Sequence, residues 1–302
     1  MAKTSGAALG IRAGEAVGPV LVRFGHDVLA EARAAIESPD GVRTVVHDFR
    51  KAMKRWRAFL RLLKPAVGDE AVDLRLEARD LARELAMARD VQAALDALAD
   101  LRECATPLSD RSRATIAQRI ESRRQSAHDA GLTDDIRARI AEYLERADTA
   151  LSGWPLDEMK FEDIAASLAR SYGRARSLVP KVWAAARPEE LHSLRQRVII
   201  HRYQLDFVHP LWPRFIRVAA GEAQRLRERL GHCQDLAVLT TLTQPRGDLA
   251  RWRKLLLPLI AERKAIHIAA SAHNAGRLFA DRPRALQKRL RTLWANAAEP
   301  SP

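Results

Sequence analysis

Cysteine is nearly missing from this chain of 302 residues; Cys104 and Cys233 are the two it has. Neither belongs to a Cys-x-x-Cys, and neither stands near a spaced pair of histidines. A disulfide framework and a thiolate-ligated zinc site are therefore not expected. Aromatic residues are scarce at 5%, and glycine and proline number 14 each, so runs suited to strands are few. No apolar run reaches the ~20 residues that span a bilayer. The opening "MAKTSGAALGIRAG" lacks the apolar stretch of a secretory signal. The expected location is the reducing cytoplasm, and no membrane partner is expected. The segment "ALGIRAG" is not a phosphate-cradling glycine loop, and no nucleophile motif occurs elsewhere. Carboxylates, too, are in short supply. Asp and Glu total 38 against 51 Lys and Arg, a formal net charge of +13. That balance points to a polyanion: nucleic acid, an anionic membrane or a phosphate polymer.

What the chain does have is Ala, Leu, Arg and Glu in quantity, with 47% apolar residues to fill a core. This composition predicts an all-α protein. Periodicity and turn signals place helices near 14–38, 42–64, 69–86, 90–104, 108–129 and 132–151, then near 160–185, 188–209, 213–231, 235–243, 248–274 and 283–297. Pro39-Asp40-Gly41, Pro65 with Gly68, Gly153-Trp154-Pro155 and Pro210 with Pro213 punctuate them. Asp90 and Asp235 each read as an N-cap that opens a helix.

The two sets are related. "VHDFRKAMKRWRAFLRLLKP" (46–65) aligns with "LHSLRQRVIIHRYQLDFVHP" (191–210), so that His47 falls on His192, Arg50 on Arg195 and Arg57 on Arg202, each 145 residues on. At the same offset "LARELAMARDV" (81–91) falls on "LRERLGHCQDL" (226–236). Two separate segments sharing one offset argue for an internal duplication. Further along, the offset slips to about 140, where "SRRQSAH" resembles "ERKAIH" and Arg123 and Arg124 stand over Arg263 and Lys264. The expected organisation is one domain over 14–297, made of repeat 1 (14–152) and repeat 2 (156–297). Residues 1–13 and 298–302 are expected to be flexible tails.

The first repeat contains an unusual helix. Val46, Phe49, Met53, Trp56, Leu60 and Leu63 form an apolar seam at spacings of three and four. Shifted by one residue, the same spacing gives His47, Arg50, Lys54, Arg57, Arg61 and Lys64. This row lies about 100° round the helix from the seam, and from His47 to Arg61 it runs roughly 21 Å at ~1.5 Å per residue. Cations three and four apart repel, and no carboxylate interrupts them. A linear polyanion laid along the row would relieve the repulsion. Arg offers a planar fork to phosphate oxygens, Lys a point charge, and His a charge that depends on pH.

The paired stretches 46–65 and 191–210 resemble the two signature helices of the CHAD domain, the conserved histidine α-helical domain. "LAMARDVQAAL" and "LGHCQDLAVL" are similar to that family's paired helix starts. Four motifs in order, at duplicate spacing, extend the resemblance over about residues 14–297. It implies two duplicated antiparallel helical bundles related by a pseudo-two-fold axis, with a basic groove or pore between them. It also implies binding of inorganic polyphosphate, which phosphate or sulfate ions would mimic, and association with polyphosphate granules, without a cofactor, a metal or catalysis. By this resemblance His47, Arg50, Lys54, Arg55, Arg57 and Arg61 line one wall. His192, Arg195 and Arg202 line the other, with Arg123, Arg124, Arg263 and Lys264 as further candidates. The second wall departs from the first: Ile199 and Ile200 stand where Lys54 and Arg55 would repeat, with Arg197 and His201 basic but out of register. No Glu-x-Glu-x-Lys strand announces the triphosphatase barrel fused to some relatives.

Two other functions fit parts of the sequence. A helical metal phosphohydrolase would use His-Asp pairs such as His26-Asp27, His47-Asp48 or His128-Asp129. Adjacent helical residues point about 100° apart, so other helices would have to bring the remaining ligands. A nucleic-acid-binding protein would suit the charge, but no helix-turn-helix, zinc finger or RNA-binding aromatic motif is present.

Overall fold

The structure is a computed structural model and describes residues 10–85, 89–127 and 132–298. Within the helices it leaves aside the side chains of residues 89, 123–127 and 297–298. Among the described residues the chain forms eleven α-helices and no strand: α1 (Val17–Glu37), α2 (Val42–Val67), α3 (Asp69–Glu84), α4 (Arg89–Asp100), α5 (Asp110–Ala127), α6 (Asp134–Gly153), α7 (Phe161–Arg176), α8 (Pro188–Val208), α9 (Pro213–Leu242), α10 (Arg253–Leu278) and α11 (Pro283–Ala298). The all-α expectation holds.

Local chemistry sets many of the ends. The hydroxyl of Thr133 accepts from the Ile136 amide at 3.3 Å and opens α6. Asp163 and Glu190 reach back to the Lys160 and Arg187 amides at 3.0 and 2.9 Å, opening α7 and α8. Pro188 and Pro213 sit in first turns, where no amide hydrogen is needed. Gly68 ends α2 at φ 75°, its amide bonded to the Lys64 carbonyl at 2.8 Å.

Some boundaries differ from the sequence reading. The region 213–243 is one helix, and Asp235 lies inside α9 rather than opening a new one. Gly231 lies within this helix, where a Cβ would make only ordinary contact, 3.4 Å from Nε of Arg195. Asp90 belongs to the first turn of α4, after Arg89. The helix expected over 160–185 ends at Arg176, short of Pro180. Ile11, expected in a loose tail, is fully buried, and its amide bonds to the Phe207 carbonyl at 2.8 Å.

The neighbours of corresponding helices recur. α1 packs on α2 and α6, and α7 packs on α8 and α11; α2 lies on α3, and α8 on α9. Contacts between the halves are just as firm, with α2 against α8 and α4 against α9. The main core includes Phe24, Phe49, Trp56, Phe59 and Tyr143 from the first half, and Phe161, Leu194 and Phe207 from the second. A smaller core joins Ala94, Leu98, Ile116 and Ile120 to Leu236, Leu239, Leu256 and Ile260. The division between the halves of the sequence is therefore not a division of the core. The α2 seam reads out as expected: Phe49, Met53, Trp56, Leu60 and Leu63 are at most 1% exposed. Trp56 donates to the Tyr143 hydroxyl at 2.7 Å, which donates to the Leu74 carbonyl at 2.9 Å, tying α2, α6 and α3 together.

Candidate polyanion-binding site

Helix α2 is flanked by α1, α3, α7 and α8, so its cation row is hemmed in rather than spread on an open face. His47 and Lys64 at the two ends are exposed, while Arg50, Lys54, Arg57 and Arg61 are half-buried. Arg57 and Arg61 meet cations that other helices supply. Burial first, then the charges of Arg75 and Arg79, push the Arg57 guanidinium down to about 10. Burial, then Arg75, Arg197, Arg57 and Arg174, push Arg61 down to about 10 as well. Arg75 is lowered by burial and by Arg79 and Arg197, and Arg197 by burial and Arg174. Arg79 holds the nearby carboxylate, Asp80, through bonds of 2.8 and 3.0 Å. Among the described residues, no ion pair reaches Arg57, Arg61, Arg75, Arg174 or Arg197, and the Nε–H groups of Arg57 and Arg61 are buried without an acceptor. Half-buried Arg57, Arg75 and Arg197 and the exposed Arg174 thus bring guanidinium groups of α2, α3, α7 and α8 within electrostatic reach of the half-buried Arg61. Such an array is costly when empty and matched by a strip of phosphate oxygens.

Arg50 and Arg195 are the clearest repeat of the sequence in three dimensions. Arg50 donates to the Ala82 carbonyl at 2.6 Å, and Arg195 to the Arg227 carbonyl at 3.4 Å; donor and acceptor both shift by 145. A profile of the CHAD domain matches residues 26–244, which include both of these arginines and both signature helices. The chain belongs to the CHAD domain family.

Two solved structures share the fold. PptA from Streptomyces chartreusis is 18% identical, with a TM-score of 0.57 over 94% of this chain and 99% of that one. The CHAD domain from the plant Ricinus communis is 20% identical, with a TM-score of 0.53 over 93% and 95%. No curated protein matches the chain.

Within this CHAD domain the expected residues do not all converge. Arg55 turns away from the row: it pairs with Glu31 at 2.7 Å and lies over the Phe24 ring at 5.0 Å. Arg202 is held by Asp206 at 3.7 Å and stacks on Tyr203. The two stand near each other, since both depress Asp206, a carboxyl that burial raises. His192 bonds to Gln234 at 3.0 Å and lines a separate pocket with Lys264. The side chains of Arg123 and Arg124 lie outside the described residues.

Two assignments are corrected. His201 is a core residue: 2% exposed, set against the rings of Tyr172 and Phe279, and pushed down to about 4 by burial. A neutral buried ring contributes no charge to a phosphate. Arg263 is 8% exposed and spends its fork on Asp100, with Nη2–Oδ1 at 2.7 Å and Nε–Oδ2 at 3.2 Å. Conversely, Arg75, Arg79 and Arg174 were missed. Arg75 and Arg79 sit one turn apart on α3, a signal visible as "RLEAR", but their approach to α2 is tertiary. Arg197, set aside as out of register, is part of the cluster.

The metal reading finds little purchase in the His-Asp dipeptides. His26 bonds to Asp148 at 2.7 Å rather than joining a ligand set, His47 is exposed, and His128 lies outside the described residues. One trio of ligand types does come together among the described residues, Asp100, His232 and His267. Its two imidazoles stack nearly parallel, 9° apart with centroids at 4.6 Å. Imidazole lone pairs lie in the ring plane, and two parallel planes so far apart do not meet at an ion about 2.1 Å from each nitrogen. Asp100 is already committed to Arg263 and His267.

A cluster built this way costs stability while its charges stand unmatched. Replacing Arg61 by Met in the ligand-free protein removes one of the crowded charges while keeping most of the stem's packing. Solvent screens part of the repulsion, so the expected gain is ~1 kcal/mol, or about 2–4 °C in Tm. A melt by circular dichroism in buffer free of phosphate and sulfate measures it. A Tm below wild type would mean that Arg61 is a structural group.

Proposed function

We propose that the protein binds inorganic polyphosphate, without catalysis, through the α2 row and the arginines that α3, α7 and α8 add to it, and that it associates with polyphosphate granules by this contact. The observation that carries the reading is the set of Arg57, Arg61, Arg75, Arg174 and Arg197, gathered with no ion pair to any of them among the described residues, the nearby Asp80 being held by Arg79. A linear chain of phosphates offers closely spaced, identical anionic units, and a row of guanidinium forks suits that repeat. Membership of the CHAD family supports the same class of ligand. Against nucleic acid stands the lining of the recess beside the row, which holds no aromatic ring for base stacking; Trp56 is fully buried. The test is a direct titration with long-chain polyphosphate and with RNA of equal total charge at one stated salt concentration, because salt alone moves either affinity by orders of magnitude. Polyphosphate is expected to bind the more tightly. Equal or stronger binding of RNA would overturn the reading in favour of a nucleic-acid protein.

A further inference from the structure

The row on α2 stops where the helix stops. Lys64 is its last cation, and Gly68, at φ 75°, turns the backbone into α3. At this end α2, α3 and α7 enclose a recess of about 310 Å³. Five cations line it: Arg61, Lys64, Arg75, Arg170 and Arg174. Two hydroxyls, Ser167 and Ser171, join them. Much of the remaining lining is apolar, with Pro65, Ala71 and Val72 offering no side-chain donor to lead a polyanion further. Arg170 is set in advance. Its Nη2 donates to the Ser167 hydroxyl oxygen at 2.7 Å, and Ser167, 3% exposed, keeps its own O–H to donate.

The two kinds of phosphate in a linear chain differ in what they ask of a site. An internal unit carries one charge and an anhydride bond on each side. A terminal unit has one anhydride bond, three free oxygens and a second ionisation near neutrality, so like a phosphomonoester it carries about −1.5 to −2 at pH 7. An open row serves internal units. A recess that gathers five positive groups and two hydroxyls serves a unit with more charge, more acceptors and a single exit. Its lining, five cations and two hydroxyls with no aromatic ring, suits a phosphoryl group better than a nucleoside.

Resting on the polyphosphate reading, we propose that this recess between α2, α3 and α7 receives the terminal phosphate of the chain, so that the protein recognises polyphosphate ends as well as polyphosphate length. The end unit sits among Arg61, Lys64, Arg75, Arg170 and Arg174, and the following units run back along α2 towards Arg57.

The test compares one preparation of medium-length polyphosphate with the same material capped at both ends as phosphoramidates, titrated into the full chain at fixed salt. Capping leaves the internal units untouched. Uncapped polymer is expected to bind roughly tenfold more tightly, the worth of about one charge-assisted contact, and Arg170→Ala is expected to narrow the difference to about twofold. Linear tripolyphosphate is expected to displace a labelled chain where cyclic trimetaphosphate, which has no end, does so only at far higher concentration. Equal affinity of capped and uncapped polymer in the wild-type protein, with binding otherwise intact, overturns the end site and leaves the polyphosphate reading standing. Failure of both polymers to bind overturns both.

Discussion

Arg57→Ala combined with Arg61→Ala is expected to weaken polyphosphate binding by roughly 100-fold or more, since each removed guanidinium forfeits a charge-assisted contact of about 1.5–3 kcal/mol. Both groups are held half-buried among like charges, with Nε–H groups that have no acceptor in the protein. Among the described residues no ion pair engages either group, so a phosphate contact replaces none. The second half offers a comparison. Arg195 is bonded to the Arg227 carbonyl and to Gln234 at 3.4 and 3.3 Å, and Arg202 is paired with Asp206. Removing these two is expected to cost less than about tenfold, because cations already engaged yield less on binding an anion. The salt dependence gives an independent reading. For a flexible single chain each phosphate contact contributes about 0.7 to the slope of log K against log salt. The first double variant should therefore lose roughly 1.4 in slope, and the second a smaller amount. Isothermal titration across a salt series measures both, with melts of each variant showing that the fold is kept. A larger loss from Arg195→Ala with Arg202→Ala, fold intact, would place the dominant wall in the second half.

Asp100→Asn is expected to be the most damaging single substitution outside the apolar core, at about 3–5 kcal/mol, the usual result of removing one partner from a buried ion pair. Asp100 ends α4 in the first half of the chain and receives Arg263 and His267 from α10 in the second. Burial alone would raise its carboxyl, but hydrogen bonds from Arg263 and His267 hold it below the ordinary 3.8. Asparagine keeps the shape and removes the charge, leaving Arg263, 8% exposed, without its ion-pair partner. For a chain of this size the loss is about 6–15 °C in Tm. Replacing both partners, Asp100→Leu with Arg263→Met, should recover much of it, since neither charge is then left buried alone.

The acid profile carries the same signature. His267 is lowered from its ordinary 6.5, chiefly by burial. Below about pH 6.5 the unfolded chain takes up a proton that the folded ring resists, and stability declines. Asp100 adds a second decline, present in the wild type and absent from Asp100→Asn, as pH falls below the ordinary 3.8 towards its lower folded value. A urea midpoint series from pH 8 to pH 3 resolves the two limbs. An Asp100→Asn curve parallel to wild type throughout would mean that the carboxylate is not held by its partners.

How far the sequence could be read depended on whether the signal was local. The seam and the row on α2 came from spacing along one helix, and both stand. The matched arginines 50 and 195 came from a repeat that needs no coordinates. The failures all turn on neighbours. His201 sits beside basic residues in the sequence, but in space it faces Tyr172 and Phe279. Arg263 aligns with a basic pair by number, yet its partner Asp100 stands on a helix 163 residues earlier. Arg75, Arg174 and Arg197 join the arginine cluster because α3, α7 and α8 bring them to α2, a fact of packing that spacing along one helix does not show.

The smaller core has a consequence for how such a molecule can be divided. Ala94, Leu98 and Ile120 are covered by Leu239, Leu256 and Ile260, and Phe24 and Phe59 by Phe207. Cut at Trp154-Pro155, each piece would display the apolar side that the other now shields. Neither would be a smaller version of the whole. Made separately, they would remain soluble only as partners, and a chain of half this length with the same contacts could be a stable protein only by meeting a second copy of itself.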